Sequence, residues 1–279
     1  MKQNKGTPIT TRDLLAPAGV LLLVSGGSIL LDRSLQTGWL SHVVVILAGL
    51  LILVGGLLAH SLLGSLAGGL LAGLGAGSYF LLQAVERPWN LRLGGFLIAF
   101  GLGWLLVLLL SILRLKEKPW WTLVPGSIST ALGACFLFST MRIVDYVLYL
   151  GIGLALALLV WGSYERWVGL IIPGCLTLGA SSGVYLAWGI PTESASLAQT
   201  GFMLVFFGLG WLLITLFSRL VTTNVVWWPL IPGGILAVVG WGLYIGGNPN
   251  NALNFISNTG SIALILFGIY LLLLRRGIR

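Results

Sequence analysis

Apolar runs of about 20 residues, the length of helix that crosses a hydrocarbon core some 30 Å thick, follow one another down the whole chain. Short polar stretches separate them and hold nearly all of the charge. The pattern predicts ten spans, over 14–31, 40–59, 62–83, 93–113, 120–139, 143–162, 167–188, 197–218, 227–246 and 257–274. The last is the weakest, since its uninterrupted apolar part runs only from Gly260 to Leu274. The first follows Lys2, Lys5 and Arg12, as a signal peptide would begin. Its apolar stretch is long for that role and no convincing small-residue cleavage site follows, so it is read as a span.

The apolar pattern repeats. A shift of 107 residues lays 94–133 on 201–240 without a gap, with 19 identities in 40. Phe100-Gly101-Leu102-Gly103-Trp104-Leu105-Leu106 matches Phe207-Gly208-Leu209-Gly210-Trp211-Leu212-Leu213. Further on, Trp120-Trp121, Pro125-Gly126 and Gly133 match Trp227-Trp228, Pro232-Gly233 and Gly240. The predicted unit is a helical hairpin whose second helix is entered through an aromatic pair and Pro-Gly. Proline is cheap at a helix start because its missing N–H would be an orphan there. Each unit has an even number of spans, so the copies share one orientation. The fold class expected is an all-α polytopic membrane protein of about ten helices, built from parallel two-helix hairpins in a single membrane domain over 1–279. The phrases Trp-x-Leu-Ile-Pro-Gly and Gly-x-Gly-Trp-Leu-Leu resemble those of short, repeat-built bacterial membrane proteins. That likeness covers one hairpin at a time and implies no particular activity.

Composition excludes the soluble class. Charged residues make up 8% and hydrophobic residues 57% of the chain, and the mean hydropathy is +1.02. Soluble domains carry roughly 25% charged residues. With even spans the two termini share a side, and that side collects eleven of the fifteen Lys and Arg residues, Arg114, Lys118, Arg166 and Arg219 among them. Arg33, Arg87, Arg92 and Arg142 fall on the other. The bias places both termini in the cytoplasm, of a bacterial inner membrane by the style of the sequence. It also accounts for the net charge of +8 as topology signal and attraction to anionic headgroups, so the partners expected are membrane lipids and other membrane-protein subunits, and no nucleic acid.

Forty glycines are about twice the usual share. In lipid, small residues let helix backbones approach. The third span shows two such stripes, Gly64-Gly68-Ala72-Ala76 and Ser65-Gly69-Gly73-Gly77.

Few residues carry chemistry. No Asp, Glu, Lys or Arg falls near the centre of a predicted span, which counts against an ion-coupled transporter. Arg142 and Asp145, three apart on one helix face, form an interfacial ion pair or, with Tyr146, an outer vestibule. Thr177, Ser181 and Tyr185, spaced by four with Ser182 beside them, form a hydroxyl stripe. It either lines a cavity or binds back to its own helix. Trp104 and Trp211 sit at matching mid-span positions as repeat-core aromatics. Cys135 and Cys175 lie at different depths, which argues against a disulfide, and His42 and His60 make no metal constellation. No nucleophile has a base within helical reach, so no enzyme and no cofactor is expected. The leading expectation is a non-enzymatic structural or accessory protein, a subunit of a larger membrane complex. The alternative is a transporter or channel for a small neutral or lipidic solute.

Overall fold

A computed structural model describes residues 26–82, 86–114, 118–190, 196–221 and 225–247. Most of the first predicted span and all of the last lie outside the described residues, as do the basic residues at both termini.

Every regular element among the described residues is helical. Residues 26–35 belong to α1. There follow α2 (Leu40–Leu58), α3 (Leu62–Leu82) and α4 (Trp89–Arg114), then a 3-10 turn at Trp120–Thr122 leading into α5 (Leu123–Phe138). Next come α6 (Ile143–Glu165), α7 (Val168–Val184) with a π turn at Tyr185–Gly189, α8 (Ser196–Val221) and α9 (Leu230–Gly246). Seven of these segments are long and apolar enough to cross a membrane, and α9 is a shorter apolar helix of 17 residues. Their length and apolarity are those of a helical integral membrane protein. Both α4 and α8 run to 26 residues, longer than the predicted spans. In α4 the extra turn takes in Arg92, which the pattern had left at the edge of a loop. Its guanidinium lies over the Trp89 ring, 5.5 Å from the centroid, and donates to Leu81 O at the end of α3. A helix end leaves carbonyls without partners, and a cation there satisfies one of them.

The helices fall into two compact units, Met1–Phe138 and Ser139–Arg279. In the first unit, α2 packs on α3, α3 on α4 and α4 on α5; in the second, α6 packs on α7, α7 on α8 and α8 on α9. Within α2–α5 and within α6–α9, each helix thus lies against its neighbour in sequence, as short turns require.

Glycine sets how closely they lie. A Cβ on Gly68 would run into the backbone of Leu53, and one on Gly49 into the backbone of Ala72. Gly73 and Gly103 face each other across α3 and α4, and Gly179 and Gly210 across α7 and α8. Leu53 and Val107 close the first core, with Leu159, Ile171, Cys175 and Ile214 in the second. Cys135 and Cys175 are buried free thiols, one in each unit. Apolar burial alone cannot drive these contacts in lipid, whose tails are as apolar as leucine; close van der Waals contact between backbones can.

Gly68→Ala should therefore destabilise the protein by about 1–3 kcal/mol, the usual cost of overpacking, since backbone rather than a pliable side chain stands in the way. Gly55, whose Cβ would meet nothing within 4 Å, is the control. Thermal unfolding in detergent should place Gly55→Ala at or slightly above the wild type and Gly68→Ala well below it.

Candidate functional site

The hydroxyl stripe of α7 begins beside Pro173, which the helix contains six residues in. Thr177 donates to Pro173 O at 2.7 Å and lies 3.0 Å from Gly174 O. Ser181 donates to Leu178 O at 3.3 Å and is buried against Gly151 of α6, occupying the space a Cβ there would need. Ser182 and Tyr185 are half-buried. Both Thr177 and Ser181 thus spend their single O–H on their own helix, the back-bonding habit of Ser and Thr in apolar surroundings.

The Arg142–Asp145 ion pair stands at the start of α6. One oxygen of Asp145 accepts from the Arg142 N–H at 3.1 Å and from the Thr140 hydroxyl at 3.0 Å. The other lies 3.3 Å from the Arg142 guanidinium. A carboxylate three residues into a helix that reaches back to the capping N–H satisfies an orphan donor, and its charge suits the positive end of the helix. The second arm of Arg142 crosses to α7, donating to Gly189 O at 2.7 Å. Asp145 is buried and Arg142 exposed, with half-buried Tyr146 next in sequence.

That last bond joins two candidates that are separate in the sequence. Gly189 closes the π turn that Tyr185 opens, so the end of the hydroxyl stripe is held by the guanidinium of the ion pair. Thr177 and Ser181 lie further down the same helix, on its regular part.

In the first unit a different carboxylate serves the start of α2. Asp32, at the end of α1, accepts from the Thr37 hydroxyl at 2.5 Å, from the Ser41 hydroxyl at 2.7 Å and from the N–H groups of Leu40 and Ser41 at 3.3 Å. These donors, the Thr37 hydroxyl foremost, hold its carboxyl at about 2, against 3.8 ordinarily.

Trp104 and Trp211 have near-identical surroundings. Trp104 meets the Trp121 ring at 5.7 Å and 71°, and Trp211 meets Trp228 at 5.5 Å and 72°. Phe100 and Phe207 stand edge-on to them, each at 6.4 Å. Both indole N–H groups are buried without a hydrogen-bond partner.

Two features escaped the sequence reading. Ser78 donates to Gly75 O at 2.8 Å, and its hydroxyl lies 2.9 Å from Nδ1 of His42. Such a pairing, 36 residues apart, has no local signal. The other is an open cleft of about 550 Å³ between α2, α3 and α4, lined only by apolar residues, Leu50, Ala72, Ala76, Ala99 and Leu102 among them.

Comparisons with protein-family models, with curated proteins and with solved structures give no match. Among the described residues, no group of three or more His, Cys, Asp or Glu could hold a metal ion. The arrangement positions helix ends: the carboxylates of Asp32 and Asp145 and the guanidiniums of Arg92 and Arg142 are each engaged with backbone.

The sign of the Asp32 effect follows from its depressed value. Its contribution to stability is complete above the unfolded-state 3.8 and is lost as pH falls through about 2. Melting temperatures in detergent should therefore fall more steeply between pH 4 and pH 2 in the wild type than in Asp32→Asn. At neutral pH the variant should already be the less stable of the two.

Proposed function

We propose that this chain is a non-enzymatic structural or accessory membrane protein, a subunit of a larger membrane assembly. The observation that carries this reading is where the polar groups are spent. Thr177 and Ser181 serve their own helix, and Asp32, Arg92, Arg142 and Asp145 serve helix ends, which is the economy of a scaffold. Its membrane is read as a bacterial inner membrane crossed ten times, with both termini in the cytoplasm, on the distribution of Lys and Arg.

The frame is read as a duplication, with α2–α5 as one copy and α6–α9 as the other. Correspondences beyond the 94–133 and 201–240 segments support it. His60 and Arg166, 106 apart, both take left-handed backbone, φ 54° and 52°, at the end of their helices. Each is followed by the same capping bond, Ser61 N–H to Gly56 O at 2.8 Å and Trp167 N–H to Gly162 O at 2.9 Å. Gly68 faces Leu53 as Gly174 faces Leu159, and Gly94 faces Gly133 as Gly201 faces Gly240.

One observation favours the second reading, a transporter or channel for a small neutral or lipidic solute. The π turn puts an irregular backbone at the outer end of the hydroxyl helix, and such turns frequently mark functional sites.

Gentle purification of the tagged protein from native membranes, with mass spectrometry of what co-purifies, separates the two. A subunit brings a membrane-protein partner in stoichiometric amount. A solitary particle sinks the accessory reading, and loss of solute flux in liposomes on Tyr185→Phe would then establish the second.

A further inference from the structure

The two units differ by one residue, and where it lies can be read from helix contacts. Across the α3–α4 contact Gly73 meets Gly103, and Gly77 meets Phe96 O. Across α7–α8, Gly179 meets Gly210 and Gly183 meets Met203 O. The partners on α3 and α7 are 106 apart, while those on α4 and α8 are 107 apart. One additional residue therefore enters the second unit between Gly183 and Met203. The π turn at Tyr185–Gly189 lies in that interval. A π turn bonds i to i+5 where an α-helix bonds i to i+4, so it is the form an α-helix takes when a single residue is added without disturbing the contacts on either side.

We infer that the π turn is a one-residue insertion into a helix that the first unit keeps regular, and that Arg142 is the latch that holds it. The inference rests on the duplication proposed above. Its latch stands on separate ground, the 2.7 Å bond from the guanidinium to Gly189 O together with the ion pair to buried Asp145. An isolated wide turn is poorer in hydrogen bonding than the helix around it and persists where its surroundings hold it. Here the last carbonyl of the turn is held by a charge-assisted bond, and the guanidinium is itself held in place by a carboxylate fixed to the start of α6. The assembly is a joint between α7 and α8. Moving the extra residue by one position re-aims the residue it passes by about 100°, one residue's share of a 3.6-residue turn, and leaves the helix on either side in place. Tyr185 and exposed Trp188 lie on that turn, and the latch holds the backbone that carries them. Arg142 is a positioning residue in this device.

Hydrogen–deuterium exchange on the full-length protein in nanodiscs tests it. Arg142→Gln should raise exchange over 185–190 by about tenfold or more, the effect of losing a charged hydrogen bond. Exchange over 168–181 and over 74–82 should stay at the wild-type rate. Deletion of Ala187 should give a folded protein whose exchange at this turn no longer responds to Arg142→Gln. Deletion of Ala76, in the regular α3, should not fold. Unchanged exchange at 185–190 in Arg142→Gln overturns the latch even if the Ala187 deletion folds. If the Ala187 deletion fails as the Ala76 deletion does, the insertion falls and takes the duplication with it. Neither failure bears on whether a partner co-purifies.

Discussion

Water does no work between helices inside a bilayer. A leucine face gains nothing by leaving lipid for another leucine face, so helices that stay together must do so by contact closer than lipid can offer. In this protein that contact is glycine against backbone. Gly68 stands against the Leu53 amide, Gly49 against Ala72, and Gly103 against Gly73. Contacts of this kind also fix register. A side chain can change rotamer to absorb a slip of one residue, but a backbone at van der Waals distance cannot. The same geometry reappears in the second unit at Gly179 and Gly210, where the sliding of a helix by one step would bring a Cβ into a main chain.

With the helix sides fixed in this way, the remaining cost lies at their ends, where backbone groups have no partners within the helix. Charged side chains meet it, and they do so differently in the two units. The start of α2 is served by Asp32 from the helix before it, and the start of α6 by Asp145 from within it. The end of α3 is served by Arg92, four residues into the next helix, whereas the end of the π turn is served by Arg142, 47 residues away in sequence. Charge costs least at this depth, where one end of a long side chain reaches water. The same residues that look like candidate chemistry in a list of polar side chains are therefore bound into the frame.

This explains what the sequence made legible. Helix positions follow from apolar run length, because a bilayer imposes one length on every span, and the described helices lie where those runs lie. Their ends are less legible. Trp89 and Arg92 belong to α4 because Arg92 finds Leu81 O, which hydropathy does not register. The i+3 pairing of Arg142 with Asp145 is a local matter and could be read directly. Its link to Gly189 could not, nor could the bond from His42 to Ser78, since each depends on which turn of one helix faces which turn of another. The π turn has no signature in Tyr-Leu-Ala-Trp-Gly.

On the proposed duplication, the two units separate what the fold needs from what it does not. Positions 106 apart hold His42 and Ser78 in the first unit but Leu148 and Val184 in the second, so the hydrogen-bonded imidazole is not required to close such a pair of helices. The cleft of the first unit is lined by Ala72 and Ala99, where the second has Leu178 and Phe206. Small residues there are thus not demanded by the glycine contacts, which both units make. The π turn at Tyr185–Gly189 runs the other way: among the described residues it occurs in the second unit alone. Burial and close packing explain the features the units share. The features they do not share are the ones packing leaves unexplained, and they lie near the start of α2, the ends of α3 and α7, and along the cleft beside α3. A search for what the protein binds is best directed there, rather than at the tryptophan pairs, which both units build alike.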